Sequence, residues 1–161
     1  MSATQILRKE VRALGDRLRQ ERRRIAFANG CFDILHVGHV RYLEEAKSCA
    51  DVLVVGVNGD QAVAALKGEG RPILPAAGRA ELVAALESVD YVVIFDELTA
   101  TEILLDLLPD VHCKGTDYTK DSVPEREVVK SFGGEVRIVG DPKNHSTRQL
   151  LAEISRRAHR D

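Results

Sequence analysis

Ile25-Ala26-Phe27-Ala28-Asn29-Gly30-Cys31-Phe32-Asp33-Ile34-Leu35-His36-Val37-Gly38-His39 is the stretch that decides the fold. Ile25–Ala28 is a short apolar run and reads as a strand. A helix follows from about Gly38 to Ser48. The loop between them carries two imidazoles that flank a glycine. A helix start presents unpaired N–H groups and a partial positive charge, which suits an anion. Gly38 lets the backbone approach a phosphate closely. His36 and His39 can each donate a hydrogen bond to phosphoryl oxygens and stabilise charge that grows in a transition state.

Apolar runs alternate with helical segments on both sides of this corner. Upstream, Thr4 to about Arg24 reads as an amphipathic helix, with Ile6, Leu7, Val11, Leu14 and Leu18 at helical spacing. Arg22-Arg23-Arg24 closes it, either as a solvated helix end or as a basic arm for nucleic acid. Downstream, strands are predicted over Asp51–Val57, Tyr91–Phe95, Val111–Lys114 and Glu135–Val139. Helices are predicted over Asp60–Leu66, Arg79–Leu86, Thr99–Leu108, Pro124–Phe132 and Thr147–Ala158. Gly133-Gly134 stops the fourth of these, and Ser146 is placed to cap the last. The fold class is therefore α/β: a Rossmann-like, doubly wound sheet of about five parallel strands with helices on both faces. Ligands bind such sheets beyond the carboxyl ends of the strands, where strand order reverses.

The 161 residues suit one compact domain, and 44% hydrophobic content supplies its core. A net charge of −2 argues against a global attraction to nucleic acid, though not against a local phosphate pocket. The three cysteines Cys31, Cys49 and Cys113 have no zinc spacing and read as reduced thiols. Cys31 reads as a small residue that fits, and Cys49 and Cys113 as core. No apolar run spans a bilayer, and Met1–Arg24 lacks the apolar stretch of a signal peptide, so a cytoplasmic protein with no membrane partner is expected.

Other chemistries fit the corner less well. His36 and His39 could form a metal pair, but no third ligand is evident, so no metal site is assigned. A structural histidine pair leaves Gly38 and the position after the first strand unexplained. Neither G-x-x-x-x-G-K-[ST] nor G-x-G-x-x-G is present. His145 adjoins the Ser146-Thr147 pair and is a secondary candidate, whereas His112 belongs to a strand.

The His36-Val37-Gly38-His39 string resembles the H-x-G-H signature of the nucleotidyltransferase superfamily. The fuller string Asn29–Val40 is most similar to the adenylyltransferase domain of heptose 1-phosphate enzymes. Asn58-Gly59-Asp60, Lys67-Gly68-Glu69-Gly70-Arg71-Pro72, Lys114-Gly115-Thr116-Asp117-Tyr118, Gly133-Gly134-Glu135-Val136 and Ser146-Thr147 extend the likeness in order, over roughly Ile25 to Ile154. Thr116 stands where the family usually has glycine, and Arg148 where it has a smaller polar residue. The domain reading is an N-terminal helix over 1–24, from its apolar spacing, followed by a single compact domain over 25–161 that the resemblance implies is a nucleotidyltransferase domain.

It also implies a reaction: AMP passes from ATP to a sugar 1-phosphate, most nearly D-glycero-β-D-manno-heptose 1-phosphate, for lipopolysaccharide core synthesis. A glycerol 3-phosphate cytidylyltransferase, an FMN adenylyltransferase and a non-catalytic nucleotide-binding module are the alternatives. By the resemblance His36, His39 and Lys67 are catalytic. ATP would be bound by Cys31, Phe32, His36, Gly38, His39, Lys114, Gly115, Asp117, Ser146 and Thr147. Asp33, Lys67, Arg71 and Arg79 would bind the acceptor. Arg79 stands near a helix start, an unfavourable place for a cation without an anionic partner. Asp33 could equally cap local backbone. Mg²⁺ would come mainly through the ATP phosphates. A homo-oligomer and a separate upstream heptose kinase are expected from the same resemblance.

Overall fold

The computed structural model describes residues 2–142 and 146–160. Its strands are β1 (Thr4–Ile6), β2 (Ile25–Gly30), β3 (Val52–Asn58), β4 (Tyr91–Phe95), β5 (Val111–Lys114) and β6 (Glu135–Ile138). Its α-helices are α1 (Val11–Gln20), α2 (Val37–Ser48), α3 (Asp60–Lys67), α4 (Ala76–Ala84), α5 (Thr101–Leu107), α6 (Arg126–Ser131) and α7 (Thr147–Ala158). The strands form one sheet in the order β1-β4-β3-β2-β5-β6, parallel throughout.

The chain winds outward from β2 through β3 to β4, then returns to place β5 on the other side of β2. That reversal opens a crevice between the carboxyl ends of β2 and β5, at Gly30 and Lys114. Alternate side chains of each strand serve opposite faces. Ala26, Ala28, Leu53, Val55 and Val57 pack with Leu43 and Ala46 of α2 and Val83 of α4. Ile25, Phe27, Val52 and Val54 pack on the other face with α1, α5 and Val129 of α6. β3 is buried along its whole length, as its continuous apolar run requires. Gly56 at its centre leaves room for Phe27, since a Cβ there would lie 2.8 Å from that ring. No helix among the described residues is long and apolar enough to cross a membrane.

Two expectations need correction. The sheet has six strands rather than about five, and the sixth lies inside the segment read as one helix over 4–24. Thr4, Gln5 and Ile6 pair with Tyr91, Val92 and Val93 at the sheet edge. Ladder bonds and the packing of Ile6 against the core override the local helical spacing. A 3₁₀ turn over Arg8–Glu10 follows, and its Glu10 carboxylate accepts the Leu7 N–H at 2.6 Å. The helix proper begins at Val11 and buries Val11, Leu14 and Leu18, the later part of the predicted stripe. Elsewhere the boundaries move little. α4 starts at Ala76, three residues before the expected Arg79, because Pro75 is pre-set to open it.

Candidate active site

Beyond the carboxyl ends of β2 and β5 lies a cavity of about 940 Å³. Its walls include all the residues that sequence reasoning placed at the site, with the exception of Arg79. His145 lies outside the described residues.

The loop after β2 is shaped by its own backbone. Phe32 and Ile34 have φ of 50° and 61°, left-handed conformations that an aromatic and a β-branched residue rarely adopt. Phe32 is buried against the corner, its ring centroid 5.4 Å from that of His39. Gly30 permits this, because a Cβ there would stand 3.2 Å from the Phe32 ring. Between the two left-handed residues, Asp33 is 2% exposed. Its carboxylate accepts from Arg71 Nε at 2.8 Å, Ile73 N at 2.8 Å and Leu74 N at 3.0 Å. Burial alone would raise the Asp33 carboxyl. The two N–H groups and the Arg71 guanidinium more than offset it and hold that carboxyl below the usual carboxylate range. Asp33 and Arg71 therefore clasp the segment after α3 to the segment after β2.

His36 caps α2, and the two histidines are tied to the backbone reciprocally. The Gly38 N–H donates to His36 Nδ1 at 3.1 Å, and the His36 N–H donates to His39 Nδ1 at 3.2 Å. A ring nitrogen that accepts an N–H carries no proton, so each neutral ring has its proton on Nε2. The rings stack with centroids 3.9 Å apart and 29° between planes. Both line the cavity beside the first turn of α2. The corner thus holds two imidazoles in the tautomer that donates from Nε2, next to a helix N-terminus.

Lys67 ends α3, is exposed, and lines the cavity. Lys114 ends β5 and is 9% exposed, with its Nζ 4.6 Å from the centroid of the Tyr118 ring. Burial lowers its pKa, and the negative charges of Glu125 and Asp117 oppose that shift. Gly115 leaves space that Asp117 uses, since a Cβ would lie 3.1 Å from Asp117 Oδ1. Thr116 donates through Oγ1 to the Asp141 carbonyl at 2.7 Å. Ser146 caps α7 by accepting the Gln149 N–H at 3.1 Å. The Thr147 hydroxyl donates to the Asp33 carbonyl at 2.8 Å, so the start of α7 is anchored to the loop after β2. Arg148 lines the cavity from an exposed position on α7. Burial pushes the Cys31 thiol up, which suits a wall residue rather than a nucleophile.

Arg79 lies elsewhere than expected. It is wholly buried, and its guanidinium faces protein acceptors. It donates to Cys31 O at 2.6 Å, Asn58 O at 2.7 Å, Leu74 O at 2.9 Å and Asp60 Oδ1 at 2.8 Å. Asp60 is the anionic partner its position demanded. Arg79 joins the ends of β2 and β3 to the entry of α4 and supports the cavity from behind.

Three wall features escaped sequence reasoning. Asn29 Oδ1 lies 3.0 Å from Nε2 of the buried His112, whose pKa burial lowers to about 3 with help from the Lys114 charge. Tyr118 supplies an aromatic face below Lys114. Glu125 is 8% exposed, and its enclosed Oε2 has no hydrogen-bond partner among the described residues. An acidic residue ahead of a short helix is ordinary in sequence, and only the fold turns Glu125 toward a cavity. No group of three or more His, Cys, Asp or Glu among the described residues could hold a metal ion.

Comparisons with known proteins agree on one family. The model of the cytidylyltransferase-like family matches residues 27–156. The chain is 50% identical over 134 residues to the bifunctional protein HldE of Geobacter metallireducens, covering 83% of this chain and 27% of that protein. It is 49% identical over 134 residues to the bifunctional protein HldE of Rhodopseudomonas palustris, again covering 83% of this chain and 27% of the other. The chain thus spans about a quarter of the length of these curated relatives, 27% in each case. The crystal structure of the lipopolysaccharide core biosynthesis protein from Thermoplasma volcanium superposes with a TM-score of 0.61 at 32% identity. That match covers 73% of this chain and 94% of the other.

Proposed function

Because this chain belongs to the cytidylyltransferase-like family, we propose that it is a nucleotidyltransferase that moves AMP from ATP to a sugar 1-phosphate, most nearly D-glycero-β-D-manno-heptose 1-phosphate. The products are ADP-heptose and pyrophosphate, and the pathway served is lipopolysaccharide core synthesis. The kinship with HldE proteins supports the substrate, and the stacked His36–His39 pair at the start of α2 is the observation that carries the chemistry.

In this reading an oxygen of the sugar phosphate attacks the α-phosphorus of ATP. The bond from that phosphorus to the bridging oxygen breaks, and pyrophosphate leaves with the electron pair. The acceptor phosphate is already anionic near neutral pH, so no general base is required. Catalysis consists of bringing two polyanions together and stabilising the charge of the transition state. His36 and His39 would donate from Nε2 to the reacting phosphate, with the α2 amides behind them. Lys67 would bridge the phosphates of both substrates, and Lys114, Gly115 and Asp117 would border the nucleotide. Ser146 and the first amides of α7 would hold the outer phosphates. The Thr147 hydroxyl donates to Asp33, so its contribution would come from its backbone N–H. Cys31 and Phe32 would border the nucleotide through their backbone. Asp33 and Arg71 would hold the Lys67 side of the cavity in register.

Magnesium fits this chain only as an escort of ATP, since the described residues offer no cluster of ligands and Asp33 is committed to Arg71, Ile73 and Leu74. It would offset phosphate charge there. A cytoplasmic homo-oligomer working after a sugar kinase completes the proposal.

The test is a matrix of ATP and CTP against heptose 1-phosphate, glycerol 3-phosphate and FMN, read by pyrophosphate release. Rapid release from ATP with heptose 1-phosphate alone is expected. Release only from CTP with glycerol 3-phosphate, or only from ATP with FMN, would reassign the substrates. Tight ATP binding with no release from any acceptor would make the chain a binding module.

A further inference from the structure

Two of the three cysteines meet on the α2 face of the sheet, away from the cavity. Cys113 of β5 is wholly buried in the cluster that Leu43 and Ala46 of α2 help to form. Cys49 caps the C-terminal end of α2, is half-buried, and packs against the same cluster. The two thiols are free and interact directly. Arg137 of β6 stands opposite Cys113 in the parallel register, so its side chain leaves the sheet on the same face. Its guanidinium bonds the Cys49 side chain and also donates to the Glu135 carboxylate at 2.6 Å. Neither cysteine lines the cavity, and the transfer reaction has no use for either sulfur.

The two sulfurs are unequal. Cys49 is the one that solvent can reach, and its thiol donates to the Glu45 carbonyl at 3.4 Å. A helix C-terminus works against a thiolate, and the Arg137 guanidinium supplies the opposing charge. Burial pushes the Cys113 thiol up, so Cys113 keeps its proton. A reachable sulfur beside a cation, with a second thiol directly behind it, is the arrangement of an attacking and a resolving cysteine. Disulfides that form in reducing compartments are of this transient kind.

We propose that Cys49 and Cys113 are a site of reversible oxidation that closes to a disulfide in the presence of a hydroperoxide, and that the disulfide slows turnover at the cavity. The Cys49 thiolate attacks one peroxide oxygen and the O–O bond breaks. The departing oxygen takes up the proton that Cys49 released and leaves as an alcohol or water. Cys49 is then a sulfenic acid. The Cys113 sulfur attacks Cys49 Sγ, the S–O bond breaks, and the hydroxide takes the Cys113 proton and leaves as water. Two thiols are oxidised by two electrons while one hydroperoxide is reduced, and a dithiol reductant reverses the bond by exchange. The effect on turnover rests on the transferase reading above; the bond itself does not. A disulfide holds its sulfurs about 2.05 Å apart, closer than two thiols in contact, so closure draws the end of α2 toward β5. Those two elements build the site: His36 and His39 stand at the other end of α2, and Lys114 follows Cys113 on the cavity wall. Tyr42 of α2 already donates to the Cys113 carbonyl at 2.7 Å. A close-packed interior transmits the shift instead of absorbing it.

The experiment treats wild type, Cys49→Ser and Cys113→Ala with hydrogen peroxide and then with dithiothreitol. Peptide mapping by mass spectrometry should find Cys49 joined to Cys113 in oxidised wild type and both thiols restored by the reductant. In Cys113→Ala, dimedone should trap a sulfenic acid on Cys49; if that variant does not fold, Cys49→Ser carries the comparison. Oxidation should slow pyrophosphate release from ATP and heptose 1-phosphate by about tenfold or more in wild type, since a misplacement of about 1 Å can cost about 10²-fold. Reduction should restore it. Cys49→Ser should keep its rate in peroxide. A linkage through Cys31, a linkage between two copies of the chain, or no linkage at all would overturn the assignment. Inhibition of Cys49→Ser by peroxide would trace the effect to Cys31 and overturn it as well. A Cys49–Cys113 bond with unchanged turnover would refute the coupling to the cavity. Absence of pyrophosphate from reduced wild type with every acceptor would defeat the transferase reading and the turnover effect with it, while the linkage map still decides the dithiol.

Discussion

Two stretches of the chain bear on the cavity in opposite ways. The His36–His39 corner carries groups that are neutral or only partly charged, and it presents them to the open side. The Arg71–Arg79 stretch carries two full positive charges and ties both to the protein, Arg71 through its Nε while it lines the cavity wall and Arg79 wholly inside the fold. Arg71 is bound by Asp33, and Arg79 by three carbonyls and Asp60. A count of cations near a motif therefore does not give the cations that meet a ligand. The corner uses Nδ1 of each ring for the backbone, and both rings line the cavity. The other stretch uses its charge to fix the walls. In the proposed reaction the first region would supply the chemistry and the second the rigidity that gives it its geometry.

The comparison is broken most forcefully at Arg79. Its removal leaves the Cys31, Asn58 and Leu74 carbonyls without their donor in the interior. Breaking a buried charged network in this way costs about 3–5 kcal/mol. Arg79→Ala should therefore lower the melting temperature by on the order of 10 °C in a domain of this size. Calorimetry checks it. A variant that melts like wild type but has lost acceptor binding would return Arg79 to the ligand.

The next largest effect is expected at the corner and is kinetic. His39→Ala should lower kcat by about 10²–10³, or roughly 2.7–4 kcal/mol, as when one preorganised donor to a developing charge is removed. Stability should change much less, because the ring is half-buried. Pyrophosphate release and thermal unfolding on the same sample separate the two. If turnover stays near the wild-type value, the imidazole is not a transition-state donor.

Most of the fold was legible because period and punctuation agreed with tertiary structure. Val52-Leu53-Val54-Val55 is a buried parallel strand in both readings, and β4, β5 and α7 begin and end where the apolar runs do. The N-terminal segment was misread because Thr4–Ile6 joins the sheet edge through partners nearly ninety positions away, a pairing recorded as Thr4 with Tyr91. Local spacing carries no trace of it. At the site, the motif led to the residues that line the cavity, but not to what each one does there. The tautomers of His36 and His39, the left-handed backbone of Phe32 and Ile34, and the inward turn of Arg79 are consequences of packing. Glu125 was missed for the same reason.

The smallest effect sharpens the comparison through pH. Asp33 links the two stretches, three residues before His36 in the chain and bonded to Arg71, Ile73 and Leu74. Replacing it with Asn keeps the shape but removes the charge that these donors share, and should cost about 1.5–3 kcal/mol at neutral pH. The sign of the pH dependence follows from the depressed pKa of the folded carboxyl. Such a group adds stability above its unfolded pKa of about 3.9, and that contribution is lost as pH falls toward the folded value. The gap in urea midpoint between wild type and Asp33→Asn should therefore be constant from pH 7 to about 5 and narrow below about 4. Other carboxylates titrate equally in both proteins, so the difference isolates this one. A gap that persists unchanged at pH 3 would mean that shape rather than charge clasps the loop, and the contrast between a charged scaffold and a neutral reacting corner would have to be drawn elsewhere.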